Sequence, residues 1–377
     1  MNTELFPTPV GVADDDPILA LPKVSLHDHL DGGLRPGTIV ELAAEVGHTL
    51  PVDDAEGLRT WFSEAASSGN LEKYLETFAH TLAVMQTSEA LTRVAREWVC
   101  DQVADGVIYA EARWAPEQHL TKGMDMDTAV LAVRDGLRQG EQLAREAGKT
   151  IQVGQIISAM RQAENSLAVA ELALRHRDNG VVGFDIAGPE DGFPPEEHRA
   201  AFDQLHRECF PVTIHAGEAA GLDSLHGAVQ ICHAQRLGHG VRIVEDIPGL
   251  SDYSAGSGTS GTAEMGKLAH WVRNFQIPLE VCPSSNLQTG VAQSIGEHPV
   301  SALKALGFAI TINPDNRLMS ATSVSREMRL LQDQAGWGTE DFLDITRMGL
   351  ASAFIPWEQK QKLLTEVVIP GFAQVIR

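Results

Sequence analysis

His27 and His29 stand two residues apart at the end of a short apolar run, VSLHDH. In an extended segment alternate side chains share a face, so the two imidazoles point together while Asp28 points away. Two imidazoles on one inward face make half of a metal site; alone, they could equally be core histidines held by hydrogen bonds. More polar groups close apolar runs downstream: His215-Ala216-Gly217-Glu218, Gly238-His239-Gly240 and Asn313-Pro314-Asp315-Asn316. Imidazole nitrogen and carboxylate oxygen suit zinc. A carboxyl enclosed in apolar surroundings becomes a proton donor once burial raises its pKa. Burying so many ionisable groups together is costly unless they pair or hold a cation.

These groups meet only if the elements bearing them converge. Short, β-rich runs bounded by Gly, Pro or Asp lie at 24–29, 106–114, 151–157, 181–186, 211–215, 236–240, 277–282 and 308–313. Helix-like stretches such as 87–105, 126–147 and 165–176 separate them. Strands alternating with helices predict an α/β fold, a (β/α)₈ barrel whose strand ends share one mouth. The rival, an open doubly wound sheet, lacks a G-x-G-x-x-G after its first strand. Residues 47–78 read as additional helices over the C-terminal mouth, residues 1–20 as an irregular leader, and residues 21–377 as one barrel domain. The insertion SDYSAGSGTSGT at 251–262 has the composition of a mobile loop, either a tolerated surface insertion or a lid.

The chain of 377 residues carries 51 Asp and Glu against 29 Lys and Arg, a formal charge of −22. That balance argues against nucleic acid and anionic membranes as partners, because both are bound by clustered Lys and Arg. The four cysteines, Cys100, Cys209, Cys232 and Cys282, show no C-x-x-C spacing and predict no zinc ribbon or disulfide scaffold. No basic start with an apolar run opens the chain, and no stretch reaches the roughly 18 apolar residues of a membrane span. A cytoplasmic protein is expected.

LPKVSLHDHLDGG (21–33), TIHAGE (213–218), LGHG (237–240), VCPSSNLQTG (281–290) and INPDN (312–316) together resemble the adenosine deaminase family, in order and over about residues 21–366. The resemblance implies hydrolytic deamination of adenosine and 2′-deoxyadenosine to inosine and ammonia, in purine salvage, with one zinc ion per chain. It implies His27, His29, His215 and Asp315 as ligands, with water in the open position. It implies that Glu218 protonates the purine ring nitrogen N1, and that His239 takes the water proton and stabilises the attacking hydroxide. Its partner is a small purine nucleoside; the oligomeric state is not implied. For substrate binding it points to His29, to Asp31 beneath a ribose hydroxyl, to the Gly188 N–H at purine N3, and to an apolar helix with Tyr74, Leu75 and Phe78 over the base.

One segment departs from the family pattern. A second Asp usually follows the ligand Asp and contacts purine N7; here Asn316 and Arg317 follow Asp315. N7 only accepts hydrogen bonds, so an Asn amide serves it without needing a proton. The other zinc deaminase class, with P-C-x-x-C, does not fit Cys282-Pro283-Ser284-Ser285. Gly183-Phe184-Asp185-Ile186 lacks the Lys that would bridge two metals. An AMP deaminase would need cations for phosphate. Adenine or aminofutalosine deamination, or an inactive binding homologue, are the alternatives.

Overall fold

Eight strands run through the chain: β1 (Lys23–His29), β2 (Val107–Trp114), β3 (Gln152–Met160), β4 (Val181–Ala187), β5 (Thr213–Ala216), β6 (Arg236–His239), β7 (Leu279–Val281) and β8 (Ile310–Ile312). The computed structural model describes residues 5–67, 71–250 and 264–375, except the side chains of 71–76. The Ser/Gly insertion at 251–262 and the side chains of Tyr74 and Leu75 lie outside the described residues. β1 to β4 form one parallel sheet in chain order and β5 to β8 another. Parallel bridges from Phe184 to Val212 and from Asp28 to Asp315 join the two sheets at both seams. The architecture is the expected (β/α)₈ barrel.

The later strands are shorter than their apolar runs. β7 and β8 keep three residues each, because Pro283 opens a helix directly after β7 and the left-handed Gly307 delays entry to β8. Helices Ala55–Ala66 and Leu71–Val84 occupy the segment expected to hold additional helices. The leader is more ordered than its prolines indicate. Pro17–Ala20 forms a helical turn capped by Asp16, Phe6 and Ile18 enter the core, and Arg35 donates to the Leu5 carbonyl. Among the described residues, no helix is long and apolar enough to cross a membrane.

The inside of the barrel is ionic. Arg113 donates to Glu280 at 2.6 Å and to Asp185 at 3.1 Å. Arg236 donates to Glu280 at 2.6 Å and to Glu111, and its guanidinium lies 3.6 Å over the Phe354 ring. Tyr109 closes the column below, donating to Glu111 at 2.8 Å. Buried charge is tolerable only with such pairing. Burial alone would raise the Glu280 carboxyl, but Arg113 and Arg236 outweigh it and hold Glu280 well below its ordinary range.

Just past β2, His119 is buried, with Nδ1 3.0 Å from the Met85 carbonyl. Burial lowers its pKa to about 4. Between the ordinary value near 6.5 and about 4, the unfolded chain binds a proton that the folded chain refuses, so stability falls as pH falls. The difference is worth about 3 kcal/mol. His119→Asn, which keeps a donor for Met85, is expected to flatten the fall in urea midpoint between pH 7 and pH 4; an unchanged slope would refute it.

Candidate active site

β1 ends on His27 and His29, and its alternation works as the sequence demands. Asp28 faces outward to the helix Ser88–Ala104, where it accepts from Trp98 Nε1 at 3.0 Å and pairs with Arg317 at 2.9 Å. His27 faces inward, and its Nδ1 lies 3.0 Å from Glu280 Oε2. His215, on β5, sets Nδ1 2.8 Å from Asp185 Oδ2. Burial would raise Asp185, but the His215 and Arg113 charges hold it down at about 2. Glu280 is therefore an anionic acceptor, so the His27 imidazole carries its hydrogen on Nδ1 and turns a bare Nε2 into the mouth, whereas His215 Nδ1 lies close to the Asp185 carboxylate without a hydrogen bond to it.

Asp315 follows β8 in a left-handed conformation, φ 61°. Its backbone bridges β1, donating to the His27 carbonyl at 3.0 Å and accepting from His29 N–H at 2.9 Å. Ser285 donates to Oδ2 at 2.6 Å. Oδ1 then faces His27 Nε2 at 3.2 Å and His29 Nε2 at 3.3 Å. His29 Nε2 is also 3.3 Å from His215 Nε2. The buried His27 Nε2 and Asp315 Oδ1 have no hydrogen-bond partner. Lone pairs aimed at one another, with no hydrogen between them, fit a cation and little else. Ligand atoms of His27, His215, His239 and Asp315 lie within 4.8 Å of one another. That group takes in His239 and leaves out the expected His29, whose Nε2 lies 3.3 Å from both Asp315 Oδ1 and His215 Nε2.

His239 ends β6, also left-handed at φ 61°. Non-glycine residues rarely adopt this conformation, and both here are aimed into the mouth. Gly238 makes the approach possible, since a Cβ there would lie 3.1 Å from His215 Cα and 3.2 Å from His27 Cε1. His239 Nδ1 lies 3.1 Å from Asn286 Nδ2, and Nε2 lies 3.5 Å from Glu218 Oε2. Burial lowers the His239 pKa to about 4.

Glu218 sits on the turn after β5. Burial, with the Asp315 charge next, pushes its carboxyl up to about 7, as proton donation near neutrality requires. Glu190 builds that turn. Its carboxylate accepts from the backbone N–H groups of Gly217 (2.6 Å), Glu218 (3.0 Å), Ala219 (2.7 Å) and Ala220 (3.0 Å), and from Ser224 Oγ (2.6 Å). Such a nest of N–H groups is an anion site filled from within the chain. Glu190→Ala leaves the buried Gly217 N–H and Ser224 hydroxyl without their acceptor, and is expected to lower unfolding free energy by about 3 kcal/mol. Chemical denaturation measures it; a loss below about 1 kcal/mol would mean that water replaces the carboxylate.

Asp31 is buried two residues past His29, and burial raises its carboxyl to about 6. Gly188 has φ 104°, a backbone conformation a side chain would strain, and a Cβ there would lie 2.6 Å from Gln162 Oε1. Asn316 is buried against Gly32, whose missing Cβ leaves room for Asn316 Oδ1. Phe78 packs against the core. Glu190, Glu280, Ser285, Asn286 and His298 were not anticipated as site residues. A carboxylate inside the apolar run of β7 was the available signal for Glu280.

The adenosine deaminase family model matches residues 22–369. The chain is 54% identical to adenosine deaminase 1 of Streptomyces coelicolor over 96% of its own length and 89% of the relative's. It is 50% identical to an adenosine deaminase of Mycobacteroides abscessus over 95% of its length and 97% of the relative's. An amidohydrolase from Burkholderia ambifaria, solved with bound zinc, shares the fold at TM-score 0.81 and 23% identity, over 98% of this chain and 97% of that one.

Proposed function

The chain belongs to the adenosine deaminase family, and from that premise we propose how its own residues carry the reaction. It is a metal-dependent hydrolase that converts adenosine to inosine and ammonia, a purine-salvage reaction. One zinc ion per chain would be held by His27, His29, His215 and Asp315. The observation that carries this reading is the hydrogen bond between Glu280 and His27 Nδ1, which turns a bare nitrogen toward Asp315 Oδ1, itself without a hydrogen-bond partner. Bound there, zinc would supply a strongly acidified water, ready to lose a proton near neutral pH.

The chain's residues do the rest. Glu218 gives its proton to ring N1, which draws electrons from C6 and opens it to attack. His239 steadies the attacking oxygen from the other side of Glu218. The attacking water gives up both of its protons, one restoring Glu218 and the other reaching the amine; the new C6–O bond forms, the C6–N bond breaks, and the amine leaves as ammonia. Asp31 takes a ribose hydroxyl, His29 borders the same sugar, and the Gly188 N–H donates to N3. Asn316 donates to N7 without needing a proton of its own. Asn316→Ala is expected to slow adenosine by about tenfold and to leave 7-deazaadenosine unchanged; equal losses on both would remove Asn316 from N7 recognition.

Ammonia release from adenosine, 2′-deoxyadenosine, adenine and AMP by zinc-loaded protein tests the reading. Turnover of the two nucleosides, with adenine and AMP inert, is the expected result. Turnover of adenine alone would keep the chemistry and change the substrate. Silence on all four would mark an inactive binding homologue.

A further inference from the structure

The donors and acceptors around Glu218 and His239 form a chain with one unambiguous end. Val300 N–H, a backbone donor, points at His298 Nδ1 at 3.1 Å. His298 Nδ1 must therefore accept. Burial lowers the His298 pKa to about 4, so the ring is neutral near pH 7 and its single hydrogen is on Nε2. His298 Nε2 lies 3.3 Å from Asn286 Oδ1, which accepts that hydrogen. The orientation of the Asn286 amide is then fixed, and its Nδ2 has two hydrogens to give. One meets His239 Nδ1 at 3.1 Å and the other meets Glu218 Oε1 at 3.4 Å.

We propose that His298, acting through Asn286, sets where the protons of both reactive side chains reside: on Nε2 of His239 and on Oε2 of Glu218. The inference rests on the roles given above to these two residues. His298 is a positioning residue, since it touches neither the metal ligands nor the mouth. An Nε2 that carries a hydrogen has no lone pair to offer a cation. His239 therefore stays out of the metal's coordination shell although its ring lies among the ligands. The same hydrogen faces the attacking oxygen, so His239 donates to that oxygen and, unlike the role the family resemblance implies, does not receive its proton at Nε2. Glu218 Oε1 is occupied by the Asn286 amide, which leaves Oε2, 3.5 Å from His239 Nε2, as the oxygen that carries the acidic hydrogen.

The test needs no substrate and no metal. Long-range ¹H–¹⁵N correlation of the ring nitrogens in metal-free protein is expected to show His239 and His298 both as Nε2–H tautomers, with His239 assigned by its loss in His239→Gln. His239 as the Nδ1–H tautomer would overturn the proposal, whether or not adenosine is the substrate. The second arm is His298→Leu, which frees the Asn286 amide. It is expected to give a mixed His239 tautomer and a fall in kcat of about ten- to hundredfold, with KM and zinc content unchanged. His298→Gln, which offers both an acceptor and a donor, should recover most of that loss. A His298→Leu protein that folds, keeps the His239 tautomer and turns over at the parent rate would also overturn it.

Discussion

Glu218→Gln is expected to lower kcat for adenosine by about a thousandfold, with KM moving by no more than a few-fold and zinc content equal to the parent's. The amide keeps the shape of the carboxyl and its contact with Asn286, but it has no proton of suitable acidity for N1. Losing a general acid costs about 10²–10⁴ in rate. The loss falls on kcat because protonation of N1 strengthens only as C6 is attacked, so it is a transition-state interaction. Steady-state kinetics beside metal analysis decides it. A variant retaining more than about a tenth of the parent kcat would show that N1 receives its proton from another group.

The second large effect separates ligands from neighbours. Removing a ligand leaves the other groups converging on nothing, and the metal is lost with its chemistry. His27→Ala, His215→Ala and Asp315→Ala are each expected to come off purification with less than about a tenth of an equivalent of zinc and no measurable turnover. His29→Ala should behave the same way. His239→Ala should hold a full equivalent and still lose at least about a hundredfold in kcat. Zinc in the His29→Ala protein with none in the His239→Ala protein would exchange the two roles. Dialysis of the parent against a strong chelator should abolish turnover, and one equivalent of zinc per chain should restore it.

The barrel and the candidate ligands were legible in the sequence for a single reason. In a parallel barrel the functional side chains stand where an apolar run ends, so a polar residue at that boundary is conspicuous. His27, His29, His215, His239 and Asp315 all occupy such ends. The groups that orient them do not. Glu280 and Asp185 lie within β7 and β4, where alternation alone cannot tell a charge facing the barrel axis from one facing solvent. Asn286 and His298 belong to a short helix and a turn, and their relation to His239 exists only after β6 and β7 pair. The leader misled for the converse reason. Three prolines and an Asp run describe its backbone correctly, but burial of Phe6 and Ile18 depends on partners distant in the chain.

The barrel is two half-rings, each a continuous ladder, joined at two narrow seams. One seam runs between β8 and β1, where Asp315 from the second half faces His27 and His29 from the first. The other runs between β4 and β5, where Asp185 from the first half meets His215 from the second. A bound cation would therefore act as a clasp across both joints, drawing two ligands from each half. A polypeptide severed in the loop after β4 would yield two fragments, each with half a coordination sphere, and their reunion would be governed by metal concentration as much as by apolar contact.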